Sequence, residues 1–371
     1  MREFKANKIP AKILFNPKEP RFEEKIRNFQ GCPTIAISKN GRIFAGWYSG
    51  GICEPHMENY NLLVYSDDEG KTWSKPVVVI ESSKEDFIHA LDIQIWMDKD
   101  GKLHVCWVQN NTTIAPSELP KFEKGQPGVI KDGYLFDDFV HAEWEMVCEN
   151  PDADELVFSE PRCWGKGFLR CKPNYLQNGD ILFFNYGQTD ARYGYSISRD
   201  GGQTFEYCYG PEKIATYFDE CMAYQKQDGE VRAFARCYLG KIAEFSSFDN
   251  GKTWTEAKLS DIVSSDTRFY VARTPSGRVL LVKNDHEKQR SHMTALLSED
   301  DGVTWKYSML IDERNEISYP DVDFYGDKIY LVYDRERSGK DSAKEILFAS
   351  FTEDDIIKGV LPTPVQIISK P

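Results

Sequence analysis

Charged and phenolic side chains interrupt apolar segments in the second half of this 371-residue sequence. Glu220 lies at the start of DECMAYQKQ, and Arg236 follows 16 residues later within VRAFARCY. Arg290 precedes a third apolar segment, and Tyr319 opens a fourth. A carboxylate and a guanidinium in neighbouring apolar strands require either each other or a ligand. These groups can bind a ligand and move protons, and the alternatives are a structural ion pair and a packed core phenol.

A repeated turn supplies the framework that must position these residues. The pattern S-x-D-x-G-x-T-W occurs at 66–73, 198–205, 247–254 and 298–305, with phenylalanine in place of tryptophan in the second copy. In this pattern the aspartate can accept backbone N–H groups across a hairpin, and the glycine can adopt a positive φ. The threonine and the aromatic residue begin the next strand. Each copy follows an apolar run, so the four copies indicate a repeated supersecondary unit.

The spacing of the turns predicts an all-β, six-bladed β-propeller. The last two intervals are 49 and 51 residues, the length of one four-stranded blade, and the first is 132. Five strand–turn–strand hairpins carry an Asn-Gly, Asp-Gly or Ser-Gly turn, and a sixth turns at Gly326-Asp327. We expect one domain over residues 1–371, with an insertion at about 110–138 in blade two. AKILFN or VQIIS could supply a strand that closes the ring, and TEDDII is a candidate short helix.

Net charge, the N-terminal segment and the cysteines indicate which partners and which cellular compartment to expect. A net charge of −13 and a pI near 5.1 argue against nucleic acid and anionic membranes as partners. The first 22 residues lack the apolar region of a signal peptide, which predicts a cytoplasmic protein. The nine cysteines are expected to be free thiols, and without C-x-x-C or H-x-x-x-H spacing we expect no metal site and no cofactor. The oligomeric state stays open.

The repeated turn resembles the Asp box of the sialidase superfamily, in a form that carries the BNR repeat. Members of that superfamily have a glutamate at the head of a blade, an arginine on the next strand, a second arginine before a later Asp box and a tyrosine after it. Glu220, Arg236, Arg290 and Tyr319 occur in that order and at similar spacing. The resemblance implies that Tyr319 is the nucleophile, that Glu220 takes its proton, and that arginines bind a substrate carboxylate.

The family acid/base residue would lie in the loop GGICEPHMEN. An aspartate is usual there, and this chain has Glu54 as the nearest carboxylate and Glu58 as the second choice. Glutamate is longer by one methylene, so a different pocket geometry is expected.

The resemblance fails at the opening of blade one. The family has an arginine there in a short R-I-P-like motif, whereas this chain reads FQGCP at 29–33, with Gly31 at the position of the arginine. Loss of a bidentate arginine at a carboxylate costs a few kcal/mol, about 2–5, of binding. The sequence therefore predicts a shifted substrate and weak affinity for N-acetylneuraminic acid.

Four further charged residues stand at or near the starts of expected inner strands and are candidate substrate-binding residues. Lys172 could replace the positive charge missing at Gly31. Each of the four could equally be a structural hub residue: Asp92, Lys172, Arg268 and Asp321.

These features together predict an exo-acting glycoside hydrolase that cleaves a terminal, acidic sugar. Its partner would be an oligosaccharide or glycoconjugate substrate. A polysaccharide lyase on uronic-acid glycans is an alternative, because a tyrosine near arginine and histidine can abstract a proton next to a neutralised carboxylate. A non-catalytic carbohydrate-binding propeller is another, since Asp boxes are scaffold.

Overall fold

The computed structural model describes residues 7–86, 88–114, 135–136, 141–187 and 190–371. In the described residues, six antiparallel sheets of four or five strands follow one another along the chain, with a two-stranded sheet beside the third, and they form a six-bladed β-propeller, as the repeat spacing predicted. The insertion expected at about 110–138 lies largely outside the described residues, and the single domain over 1–371 stays a prediction.

The first three blades occupy the N-terminal half of the chain. Blade one begins with an added outer strand and comprises β1 (Lys12–Phe15), β2 (Phe29–Ile37), β3 (Ile43–Gly50), β4 (Tyr60–Ser66) and β5 (Val78–Glu81). Blade two comprises β6 (Ile88–Met97), β7 (Leu103–Ile114), β8 (Leu135–Phe136), β9 (Ala142–Cys148) and β10 (Arg162–Lys166). Around blade three lie β11 (Phe168–Leu169), β12 (Asn174–Tyr175), β13 (Ile181–Phe183), β14 (Asn185–Tyr186), β15 (Arg192–Ser198) and β16 (Glu206–Glu212).

The last three blades are regular four-stranded sheets. Blade four comprises β17 (Cys221–Gln225), β18 (Val231–Ala235), β19 (Lys241–Ser247) and β20 (Lys258–Val263). Blade five comprises β21 (Tyr270–Arg273), β22 (Val279–Asn284), β23 (Met293–Ser298) and β24 (Tyr307–Asp312). Blade six comprises β25 (Ile317–Tyr325), β26 (Lys328–Arg335), β27 (Glu345–Thr352) and β28 (Gln366–Ser369), with the expected helix α1 (Glu353–Lys358) before β28.

The Asp boxes lie at equivalent hairpins in blades one, three, four and five, between the third and fourth strands of the main sheet counted outward from the axis. In the last box the Ser298 hydroxyl accepts the N–H of Gly302 at 2.8 Å, and the Asp300 carboxylate accepts the N–H of Thr304 at 2.8 Å. The other three boxes repeat these bonds. Hydrogen bonds from Thr304 lower the pKa of Asp300 to about 2, so the carboxylate that organises the turn is ionised at neutral pH.

The ring closes without a shared strand. AKILFN forms β1 and VQIIS forms β28, and each joins the blade nearest its own end of the chain. Blade one meets blade six through the backbone instead. The N–H of Gln30 donates to the carbonyl of Arg337 at 3.0 Å, and Phe29 pairs with Ser338. This seam brings β2 beside the segment that follows β26.

A buried carboxylate joins several blades at the hub. Asp321 of β25 accepts hydrogen bonds from the Thr34 hydroxyl at 2.7 Å and the Ile35 N–H at 3.0 Å, both in β2. Its other oxygen accepts from Arg268 Nη2 at 2.8 Å. Lys172 Nζ lies 3.7 Å from the same carboxylate and donates to the Ile35 carbonyl at 2.6 Å. Blades one, three, five and six therefore meet at one side chain.

The expectations from the sequence also concern the cysteines and the helices. None of the nine cysteines lies in a disulfide, and seven of them are buried. Within the described ranges, no helix has the length and apolar character needed to cross a membrane.

Replacing Asp321 with asparagine should lower the free energy of unfolding by about 3–5 kcal/mol, because Arg268 and Lys172 would remain buried without their counter-charge. Chemical denaturation measures the loss. Asp327→Asn, at the exposed turn between β25 and β26, is the control and should change stability by less than about 0.5 kcal/mol. A loss equal to that of the control would contradict the hub role.

The same carboxylate should contribute to acid sensitivity. Burial alone would raise the pKa of Asp321, but Lys172 and Arg268 outweigh burial and hold it below its ordinary value. Its contribution to stability is therefore present above the unfolded-state pKa and is lost as pH falls through the folded-state pKa. Stability of Asp321→Asn should decline less steeply in acid than that of the wild type.

Candidate active site

The inner hairpin of blade four ends at Glu220 and Arg236. The ladder between β17 and β18 pairs Cys221 with Ala235, so Glu220 and Arg236 stand opposite each other one step beyond it. The Arg236 N–H donates to the Glu220 carbonyl at 3.0 Å, and Arg236 Nη1 donates to Glu220 Oε2 at 2.8 Å. The spacing of 16 residues is thus the length of a hairpin that returns the chain to its starting end.

Tyr319 meets this ion pair from blade six. Arg236 Nη1 also donates to the Tyr319 hydroxyl oxygen at 3.2 Å, so the Glu220 carboxylate and the Tyr319 hydroxyl share one guanidinium nitrogen. The Arg236–Tyr319 contact joins residues 83 positions apart, so no local geometry imposes it. The structure therefore brings Glu220, Arg236 and Tyr319 together.

The protonation of this pair follows from its surroundings. Burial raises the pKa of Tyr319, and the charge of Glu220 raises it further, so the phenol is neutral. Burial alone would also raise the pKa of Glu220. The guanidinium charges of Arg236 and Arg170 outweigh it and hold the pKa of Glu220 below its usual value. At neutral pH an ionised carboxylate therefore stands beside a neutral phenol.

Arg290 joins the group through Asp266. Arg236 Nη2 and Arg290 Nη2 donate to the same Asp266 carbonyl, at 3.2 and 3.1 Å. Arg236 Nε also pairs with an Asp266 carboxylate oxygen at 2.7 Å. The Arg290 guanidinium carbon lies 5.9 Å from the centre of the Tyr319 ring. Two guanidinium groups are thus held side by side next to the phenol.

Three inner strands carry a bulge at the site. The register shifts between Gly31 and Thr34 in β2, between Leu91 and Gln94 in β6, and between Ser318 and Asp321 in β25. The residues within these bulges include three with left-handed φ, which are Cys32 at 57°, Asp92 at 49° and Tyr319 at 56°. Bulges redirect side chains, and positive φ in residues other than glycine is strained and concentrates at functional sites.

A second pair of carboxylates lies on the blade-one side. Ligand atoms of Cys32, Glu54 and Asp92 are all within 4.8 Å of one another. This donor set could hold a metal ion by its chemistry. However, Arg337 Nη1 donates to Glu54 at 3.0 Å, and Arg170 Nη1 lies 3.7 Å from Asp92. Positive charge already faces both carboxylates, which disfavours a bound cation.

Sequence reasoning missed Arg170 and Arg337. Arg170 precedes blade three, is 2% exposed and lies between Asp92 and Glu220. Its guanidinium carbon lies 5.4 Å from the Tyr319 ring centre, and that of Arg337 lies 4.0 Å away. Arg170 stands two positions before Lys172, so the same inner-strand criterion would have found it. Arg337 follows its strand, and nothing local distinguishes it.

An open cleft of about 560 Å³ borders the site. Arg290, Ser318 and Arg337 line it, together with Glu316 and Glu336. Arginines from blades five and six therefore face one space beside Tyr319.

Lys172, Arg268, Asp321 and Glu58 lie away from the Glu220–Tyr319 group. The described contacts of Lys172 and Arg268 are the hub contacts with Asp321, so these three residues join one another and not the Glu220–Tyr319 group. Glu58 is exposed and pairs with Lys84 at 3.4 Å. Glu54 is the loop carboxylate that reaches Arg337 and Cys32.

Comparison with known families finds the same repeat. The BNR repeat-like domain matches residues 151–331, and the BNR/Asp-box repeat matches residues 64–75. Sialidase B of Streptococcus pneumoniae serotype 4 is 25% identical over an alignment of 308 residues that covers 76% of this chain and 41% of that protein. The chain thus spans less than half the length of this curated relative.

Solved structures show the same fold. An intramolecular trans-sialidase from Ruminococcus gnavus, in complex with oseltamivir carboxylate, has a TM-score of 0.67 at 14% identity, covering 94% of this chain and 98% of its own. A protein of unknown function from Dyadobacter fermentans has a TM-score of 0.65 at 18% identity, covering 90% of this chain and 96% of its own.

The Asp92 carboxyl should titrate near neutral pH and respond to Arg170. Burial raises the pKa of Asp92 to about 6, against the opposing charge of Arg170. Arg170→Met should therefore raise the pKa of Asp92 further. Carboxyl ¹³C NMR titration measures it, with Asp92→Asn assigning the signal. Arg199→Met, which removes a surface guanidinium paired with Glu206, is the control. An unchanged pKa in Arg170→Met would contradict this electrostatic link.

Proposed function

Because this chain is a BNR-repeat protein of the sialidase superfamily, we propose that it is an exo-acting glycoside hydrolase that removes a terminal acidic sugar. One observation carries the proposal. Arg236 Nη1 donates to both the Glu220 carboxylate and the Tyr319 hydroxyl, at 2.8 and 3.2 Å. A buried phenol beside an ionised carboxylate is the arrangement an activated nucleophile requires.

In the proposed first step, the Tyr319 oxygen attacks the anomeric carbon and its proton passes to Glu220. Glu54 donates a proton to the leaving oxygen, so the glycosidic bond breaks without releasing an alkoxide. In the second step a water molecule attacks the same carbon. Glu54 takes the proton of the water, and Glu220 returns its proton to Tyr319. The net reaction adds one water across the glycosidic bond.

An acidic sugar as substrate explains why the nucleophile is a tyrosine and not a carboxylate. If the anomeric carbon bears a carboxylate, an anionic carboxylate nucleophile would be repelled, whereas a neutral phenol is not. The raised pKa of Tyr319 keeps the phenol neutral until Glu220 accepts its proton. Arg236 and Arg290, held together on Asp266, are the proposed partners of the substrate carboxylate.

The proposal includes a glycan or glycoconjugate partner and a cytoplasmic location. Nine cysteines outside any disulfide fit a reducing compartment.

A panel of aryl glycosides and acidic oligosaccharides, with products followed by mass, separates the functions considered. We expect addition of water to a terminal acidic sugar. An unsaturated uronate that absorbs in the ultraviolet would instead identify a lyase. Binding without turnover would identify a carbohydrate-binding propeller.

Tyr319→Phe and Glu220→Gln should each lower kcat/KM by more than about 10³-fold, because one removes the nucleophile and the other its base. Steady-state kinetics on the best substrate of the panel measures the loss. Tyr325→Phe, at the exposed end of the same strand, is the matched control and should retain activity. Activity of Tyr319→Phe near that of the control would exclude the nucleophile role.

Arg290→Met should cost about 2–5 kcal/mol in transition-state binding if the sugar is acidic, because one guanidinium partner of the carboxylate is lost. A neutral-sugar enzyme would lose much less. The change in kcat/KM gives the value. Arg278→Met removes a half-exposed arginine paired with Glu299 and Glu353, and it should leave kcat/KM unchanged.

A further inference from the structure

The space beside Gly31 is filled by a side chain from the other end of the chain. A Cβ added at Gly31 would lie 2.7 Å from Cδ and 2.9 Å from Cγ of Arg337. Contacts that short do not occur between real carbon atoms, so no other residue fits unless Arg337 moves. Gly31 is absent from the residues with left-handed φ. Steric room for Arg337, and not backbone conformation, therefore demands glycine here.

The seam between blades one and six explains this proximity. The Gln30 N–H donates to the Arg337 carbonyl at 3.0 Å, next to Gly31. The fully buried Asp334 joins both sides, because it accepts the N–H of Cys32 at 2.7 Å and pairs with Arg337 Nε at 2.9 Å. The position of the Arg337 side chain is thus set by β2 and β26 together.

The guanidinium of Arg337 is held at the site and keeps N–H groups that no described contact uses. Nη1 donates to Glu54 at 3.0 Å, and Nη2 donates to the Ser318 hydroxyl at 3.3 Å. Among the described contacts, these bonds leave one N–H on each terminal nitrogen. A pair of parallel N–H groups is the donor fork that binds a carboxylate. The side chain is 15% exposed and lines the 560 Å³ cleft with Arg290.

We propose that Arg337 is the third carboxylate-binding arginine of this pocket, supplied from blade six in place of an arginine at position 31. This inference rests on the proposed function and specifies its substrate class. The pocket keeps three guanidinium groups, from Arg236, Arg290 and Arg337, around Tyr319. The substrate is therefore a sugar whose anomeric carbon carries a carboxylate. The weak affinity for such sugars that was expected from Gly31 does not follow, because the donor fork is relocated and not lost.

Binding of a matched ligand pair tests the role of Arg337 without relying on turnover. Oseltamivir carboxylate and its ethyl ester differ at one group, which is a charged carboxylate in the first and a neutral ethyl ester in the second. Isothermal titration calorimetry should show that the wild type prefers the carboxylate and that Arg337→Met reduces this preference by about 30-fold or more. Arg337→Lys keeps the positive charge but not the paired N–H donors. Its preference for the carboxylate should therefore lie between that of the wild type and that of Arg337→Met. Thermal unfolding verifies that each variant is folded.

The outcomes separate the two proposals. Equal preference in the wild type and Arg337→Met would overturn the role of Arg337 and leave the hydrolase proposal standing. A wild type that does not prefer the carboxylate would overturn the acidic-substrate proposal itself.

Substitutions at Gly31 test the relocation. Gly31→Ala leaves every arginine in the chain but displaces the Arg337 stem, so it should lower the preference for the carboxylate. Gly165→Ala is the control, because a Cβ there meets its nearest neighbour at 4.0 Å. The double variant Gly31→Arg/Arg337→Gly should recover part of the preference that Arg337→Gly loses. If the double variant recovers none of the preference for the carboxylate, positions 31 and 337 do not share one function. The same conclusion follows if Gly31→Ala keeps the preference of the wild type.

Discussion

The architecture depends on the ion pairs around the Asp321 carboxylate. A six-bladed ring has no single core that holds all blades, and its inner strands must be tied at the axis. Asp321 accepts hydrogen bonds from β2 and from Arg268, and Lys172 completes its charge balance. Burying these charges is favourable only because each finds a partner. The same strand carries Tyr319 two residues earlier, so the hub also fixes the position of the site.

The bulges in three inner strands redirect side chains at the candidate site. In an unbroken strand, Tyr319 and Asp321 would point to the same side, because side chains alternate with a period of two. The register shift at Ser318–Asp321 and the left-handed φ of Tyr319 break this relation. Asp321 can then serve the hub while Tyr319 faces Glu220. Equivalent bulges at Cys32 and Asp92 show that the device is repeated around the ring.

Four arginines stand at the site although the chain as a whole is negatively charged. The protein carries a formal net charge of −13, yet four arginines surround one tyrosine. Each guanidinium is held by a carboxylate or a carbonyl, for example Arg337 by Asp334 and Glu54. These partners keep the arginines in place in the absence of an anion and position them for one. The net negative charge of the chain disfavours a polyanionic ligand.

The sequence by itself determined the fold class, because four Asp boxes and the hairpin turns are local signals whose spacing counts the blades. It also brought Glu220 and Arg236 together, since a hairpin of known length returns to its start. It could not place Arg337 against Gly31, because that contact joins opposite ends of the chain across the closing seam. Nor could it separate Lys172 from Arg170, both at the start of blade three, because tertiary packing decides which cation reaches Asp321 and which reaches Tyr319. These contacts are determined only when the ring closes and brings distant parts of the chain together.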